Sequence, residues 1–144
     1  MKGSCLCGRI AYEATALDSP IRHCSCNVCR KAHASAFNTS ASVRQEHFRW
    51  LRGEEALSAY ESSPGKQRFF CGTCGTQLVA RRTGSETVIL RVATLDDDPG
   101  RRPEGHIWAR DEVPWLAYGP QVPAWPAWAP DHEPRDARPD VAPS

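Results

Sequence analysis

The sequence predicts a β-rich fold whose strands are joined by turns and by cysteine-bearing loops. Three observations predict it. Apolar residues recur at period two in several short segments, as in Ile10 and Tyr12 or Phe48 and Trp50. Turn residues punctuate them, as at Ser62-Ser63-Pro64-Gly65, where proline presets φ and glycine accepts positive φ. All 7 cysteines fall into short clusters: Cys5 with Cys7, Cys24 with Cys26 and Cys29, and Cys71 with Cys74.

Taken in order, Gly3 to Ala14 reads as a hairpin, with Cys5 and Cys7 on one side of an extended segment and Gly8 where the chain turns. Leu17-Asp18-Ser19-Pro20 is loop. Cys24 to Lys31 is a tight loop, and Ala32 to Ala36 is small and featureless. Phe37 to Val43 forms a strand with Phe37, Thr39, Ala41 and Val43 on one face. His47 to Gly53 and Leu57 to Tyr60 are further strands. Lys66 to Ala80 is a hairpin with Cys71 to Gly75 as its tip. Thr87 to Ala93 is the most β-branched segment and the natural central strand. Gly105 to Ala109 is a short strand, and Val113 to Leu116 packs as a short helical turn.

Length fits one domain, placed over 1–118. From Gly119 the chain turns proline- and tryptophan-rich, and 119–144 reads as a tail without a core of its own. The net charge of +1 and the lack of a basic stripe argue against a nucleic-acid partner. No stretch approaches the ~20 apolar residues of a membrane span. No apolar run follows Met1-Lys2-Gly3-Ser4, so a signal peptide is not expected, and the cysteines are expected reduced in a cytoplasm.

The cysteine clusters carry the chemistry. Cys24 and Cys26 are too close in sequence to bridge without strain. Three thiolates within six residues instead suit one metal ion, with zinc the natural choice. Three ligands leave a tetrahedral ion with an open position, which is the pattern of a catalytic site. The alternative is a histidine fourth ligand, for which His23, His33, His47 and His106 are available. Cys5 and Cys7 combine with Cys71 and Cys74 into a closed, four-thiolate structural site. The glycine after Cys74 is the mark of a knuckle that turns backbone N–H groups toward sulfur.

Five pieces resemble the glutathione-dependent formaldehyde-activating enzyme family, which includes centromere protein V. They are Gly3-Ser4-Cys5-Leu6-Cys7-Gly8, the run His23 to Lys31, Phe48-Arg49-Trp50 with Gly53, the run Tyr60 to Thr76, and Glu104-Gly105-His106-Ile107-Trp108. The resemblance runs from about Gly3 to Tyr118 and includes the order and spacing of the cysteines. It implies a mainly β, twisted β-sandwich (a β-tent), stapled by zinc. It implies a structural zinc on Cys5, Cys7, Cys71 and Cys74 and a second on Cys24, Cys26 and Cys29. It implies carbon–sulfur lyase chemistry, the founding reaction joining formaldehyde to glutathione as S-hydroxymethylglutathione. One departure lies beside the second site: many members place a glycine a few residues after the third cysteine, where this chain has His33-Ala34-Ser35.

The expected partner is therefore a small-molecule thiol such as glutathione, deprotonated at the second zinc to attack an aldehyde. Cys24, Cys26 and Cys29 form the catalytic set, and His33, His23 or a zinc-bound water is the candidate general acid. Each histidine also suits a plain packing or surface role. Arg30, Lys31 and Arg68 are candidates for the carboxylates of a glutathione-like substrate, or are simply solvated charges. Two rival functions have the same cysteines: a non-catalytic zinc-binding interaction module, and a thiol redox or zinc-responsive protein.

Overall fold

The structure, a computed structural model, describes residues 1–116 and 122–126. Contacts divide the chain into a compact unit over Met1–Val113 and a second over Pro114–Ser144. The boundary expected at 118 and most of the expected tail lie outside the described residues.

The first unit is mainly β, in two sheets. The smaller holds β1 (Lys2–Ser4), β2 (Ala11–Ala14) and β5 (Phe48–Arg52). The larger holds β3 (Arg22–Cys24), β4 (Asn38–Arg44), β6 (Leu57–Ser63), β7 (Lys66–Cys71), β8 (Gln77–Arg82), β9 (Thr87–Arg91) and β10 (Gly105–Ile107). Its spatial order is β10-β3-β4-β9-β8-β7-β6, so the β-branched strand β9 sits at the centre as its composition predicts. All pairs in it are antiparallel except β10 with β3, which are parallel.

The core lies between the sheets. Tyr12 and Phe48 of the small sheet are in one buried cluster with Val43, Val79, Val88 and Leu90 of the large one. The aromatic rings interlock: Tyr12 stacks on Phe48 at 5.4 Å between centroids, and Trp50 meets Phe48 edge-on at 4.9 Å. The alternation of a strand decides what faces away from this core. On β9, Val88 and Leu90 point into it, which sends Ile89 and Arg91 to the opposite face of the large sheet. On β4, Ala41 and Val43 are buried, and Ser40 and Ser42 alternate with them.

Three local expectations are corrected. Cys5 to Gly8 is a turn rather than extended, closed by Gly8 N–H donating to the Cys5 carbonyl at 2.8 Å. The run after Cys26 is a helix, α1 (Asn27–His33), where a tight loop to Lys31 and a featureless run from Ala32 were expected. At 7 residues it is too short to stand alone, and its caps hold it. Cys26 Sγ accepts the Cys29 N–H at 3.4 Å at the start, and the Ala34 N–H returns to the Arg30 carbonyl at the end. Arg30 and Lys31 in its last turn suit the negative end of the helix dipole. The span Val113–Leu116, expected as a helical turn, holds a plain turn at Pro114 and Trp115, and a 3-10 turn lies earlier, over Ala109–Asp111. Among the described residues no helix is long and apolar enough to cross a membrane.

Candidate metal centres and the cavity beside one of them

The cysteines meet in two groups, Cys5/Cys7/Cys71/Cys74 and Cys24/Cys26/Cys29, each with all sulfurs within 4.8 Å of one another. All seven are free thiols. A tetrahedral ion with metal–sulfur distances near 2.3 Å sets its sulfurs about 3.8 Å apart. Cys5 and Cys7 Sγ are 3.5 Å apart, and Cys7 and Cys71 Sγ are 3.8 Å apart. The donor set and the spacing both fit a metal ion.

The four-cysteine group joins the two sheets. Cys5 and Cys7 lie on the turn after β1, and Cys71 and Cys74 lie at the tip of the β7–β8 hairpin. Cys5 and Cys71 belong to the buried core. Both cysteine turns close the same way: Gly8 and Gly75 take left-handed φ of 71° and 77°, and the N–H of each bonds the carbonyl of the first cysteine at 2.8 Å. The thiols are unequal. Burial pushes Cys5 up to about 11. Cys74 falls to about 6, because hydrogen bonds led by the Thr76 hydroxyl outweigh burial. Four sulfurs this close cannot all ionise without a cation to neutralise them.

The three-cysteine group sits where β3 gives way to α1. Cys24 ends the strand, Cys26 caps the helix and Cys29 lies in its first turn. No histidine nitrogen joins either group among the described residues. His23 Nδ1 is 2.8 Å from the Thr39 hydroxyl, and His47 Nδ1 is 3.0 Å from Asp18. His106 Nε2 is 2.5 Å from Ser25 Oγ, with its Nδ1 3.4 Å from Glu112. The Ser25 side chain is fully buried between the two flanking cysteines, so this contact pins the loop to β10.

A cavity of about 390 Å³ opens in front of Cys24, Cys26 and Cys29. Its floor is the face of the large sheet turned away from the core. Arg68 is 2% exposed and reaches α1: Nη2 is 3.8 Å from Cys29 Sγ, Nη1 is 3.5 Å from His33 Nε2, and Nε donates to Ser62 Oγ at 2.9 Å. Burial raises the Cys29 thiol, but hydrogen bonds from Cys26, Arg68 and Cys24 and the Arg68 charge bring it below the ordinary value. Burial holds Cys24 up at about 12.

Residues 1–111 match the family described as glutathione-dependent formaldehyde-activating enzyme. The chain belongs to this family. An uncharacterized lyase of Schizosaccharomyces pombe is 30% identical over 77 residues, covering 54% of this chain and 54% of that protein. The chain thus spans about half the length of that curated relative. A solved structure of a Rhodobacter sphaeroides protein is 32% identical with a TM-score of 0.59, covering 72% of this chain and 98% of that one.

Within this family member, the candidate binding residues separate. Arg68 lines the cavity, whereas Arg30 does not: its Nε donates to the Ser25 carbonyl at 3.0 Å and braces the cysteine loop. Lys31 is exposed on α1, also outside the cavity lining. His33 lies outside it too. Burial and the charges of Arg91 and Arg68 depress it to about 3, so its imidazole is neutral at neutral pH and faces Arg68 as an acceptor. Arg91 is a residue that the sequence reading missed. It is 3% exposed, lines the cavity, and its Nε and Nη2 find no hydrogen-bond partner among the described residues. The available signal was its place at the end of β9, one step past Leu90, where alternation sends a side chain away from the core.

Proposed function

We propose that the protein is a zinc-dependent carbon–sulfur lyase acting on a thiol–aldehyde adduct, the hemithioacetal class to which S-hydroxymethylglutathione belongs. The observation that carries this is the placement of three clustered sulfurs, with Arg68 beside them, on the wall of a cavity in a member of this family. The relative named as a lyase supports the same reaction class.

The reaction is redox-neutral. In one direction a thiol sulfur bonds to the aldehyde carbon, the carbonyl π pair moves to oxygen, and the thiol proton ends on that oxygen. In the other the carbon–sulfur bond breaks and the hydroxyl proton returns to sulfur.

Cys24, Cys26 and Cys29 would hold the working zinc, and Cys5, Cys7, Cys71 and Cys74 a structural one. The working ion, when bound, would supply an open position that acidifies a thiol, or a Lewis acid for a carbonyl oxygen. Arg68 steadies the Cys29 sulfur and presents positive charge to the cavity, where a substrate carboxylate binds. His33, neutral and aimed at Arg68, orients that guanidinium. Arg30 holds the loop from behind.

The test is exchange NMR on formaldehyde and a panel of thiols with catalytic amounts of zinc-loaded protein. Interconversion of thiol and hemithioacetal faster than in buffer supports the reading, with Cys26→Ser at the buffer rate. Exchange at the buffer rate for every thiol contradicts it.

A further inference from the structure

Among the described residues, the cavity in front of Cys24, Cys26 and Cys29 is lined by Arg22, Lys66, Arg68, Arg82 and Arg91, and by no Asp or Glu. None of these cations forms an ion pair with a carboxylate among the described residues. The chain as a whole is near neutral, with a net charge of +1, so this is a local concentration and not a general excess.

Two features show that the concentration is costly without a ligand. Lys66 on β7 and Arg82 on β8 are direct cross-strand partners, and like charges directly opposite destabilise a sheet. Arg91 is buried, with Nε and Nη2 lacking a hydrogen-bond partner among the described residues, and it stays charged: burial and the nearby Arg68 lower it, the Cys29 and Cys24 thiolates hold it up, and it settles at about 10. Buried guanidinium nitrogens without a hydrogen-bond partner are unfavourable, and a bound anion relieves both penalties.

We infer that the thiol substrate is a polyanion with no free ammonium group: it carries at least two carboxylate or equivalent anionic groups. This rests on the lyase reading, because it takes the substrate sulfur to lie at the three cysteines. Glutathione meets half of the requirement. It carries two carboxylates, but its ammonium group would enter a cavity whose wall, among the described residues, has five cations and no carboxylate to receive it. An amine-free dicarboxylate thiol meets the requirement fully. Its carboxylates would bridge Lys66 with Arg82 and engage the open nitrogens of Arg91.

The test uses the full chain loaded with cobalt, reading the sulfur-to-metal charge-transfer band as thiols are added. The probes are 2-mercaptoethanol, mercaptosuccinate, glutathione and N-acetylglutathione. Mercaptosuccinate should bind roughly ten- to a hundredfold tighter than 2-mercaptoethanol, the range for hydrogen bonds between charged groups. N-acetylglutathione should bind more tightly than glutathione, although acetylation adds only bulk besides removing the charge. Arg82→Gln, an exposed position, should remove most of the mercaptosuccinate advantage, and Arg91→Gln the same where it folds. Equal binding of N-acetylglutathione and glutathione, or of mercaptosuccinate and 2-mercaptoethanol, overturns the inference and leaves the lyase reading standing. If no thiol shifts the band, the lyase reading fails and the inference with it.

Discussion

Arg68 Nη2 lies 3.8 Å from Cys29 Sγ, although the two residues come from strand β7 and helix α1, with three strands between β7 and β3 in the sheet order. The contact joins the floor of the cavity to its cysteine wall. A guanidinium beside a coordinating sulfur stabilises its thiolate and fixes its direction, as partners behind metal ligands do generally.

Arg68→Lys should therefore weaken metal at the three-cysteine group. Lysine keeps the charge but cannot serve Ser62, His33 and Cys29 at once. Loss of such a partner typically costs roughly ten- to a hundredfold in metal affinity. Chelator competition on the zinc-loaded protein measures it. Unchanged affinity at both sites would remove Arg68 from the metal centre.

Ala34 predicts a stabilising substitution. It ends α1 with φ 47° and ψ 42°, the left-handed region that suits glycine. A Cβ there costs about 1–2 kcal/mol, so Ala34→Gly should stabilise the protein by roughly 1 kcal/mol after the extra chain entropy of glycine. Urea unfolding measures it. A loss of stability would mean that the residue does not hold this conformation.

The pH dependence follows from His33. Its folded-state value of about 3 lies far below the ordinary histidine value of about 6.5. Below pH 6.5 the unfolded chain takes up a proton that the folded chain refuses, so the stabilisation from neutral His33 is complete above pH 6.5 and is lost as pH falls toward 3. Histidine NMR should show the His33 ring untitrated between pH 8 and pH 5, and His33→Gln should flatten the stability profile between pH 6.5 and 5. A His33 midpoint near 6.5 contradicts this.

Ser25→Ala tests the contact that ties the cysteine loop to β10. It removes the 2.5 Å partner of His106 Nε2. The expected loss is about 1 kcal/mol, with faster amide exchange at Ser25, whose N–H donates to the Ile107 carbonyl. Unchanged exchange there would show that the parallel pairing of β3 and β10 does not depend on this bond.

Both cysteine groups were legible in the sequence, because cysteine spacing and the glycines after Cys7 and Cys74 constrain the backbone directly. Strand β9 was legible from Val88, Ile89 and Leu90. Helix α1 was not, since Asn27-Val28-Cys29-Arg30-Lys31-Ala32-His33 has no apolar stripe and is held by its caps and its place on the sheet. The cationic floor was hidden for another reason. Lys66, Arg68, Arg82 and Arg91 come from three strands, and register makes them neighbours. Arg30 and Lys31 stood out because they follow Cys29 directly, yet the helix turns Arg30 to the Ser25 carbonyl and leaves Lys31 exposed.

Zinc content with thermal unfolding of Cys74→Ser and Cys26→Ser measures whether the two cysteine groups divide a structural from a working role. The four-cysteine group joins the two sheets and shares the core through Cys5 and Cys71. Structural zinc contributes on the order of 10 kcal/mol or more in peptides. Net stability is about 5–15 kcal/mol, so even partial loss at Cys74 should unfold or aggregate the protein. Cys26 caps one short helix at the cavity wall. Cys26→Ser should stay folded with one zinc fewer and no acceleration of hemithioacetal exchange. If Cys26→Ser loses as much stability as Cys74→Ser, both ions are staples and the account of a working site is wrong.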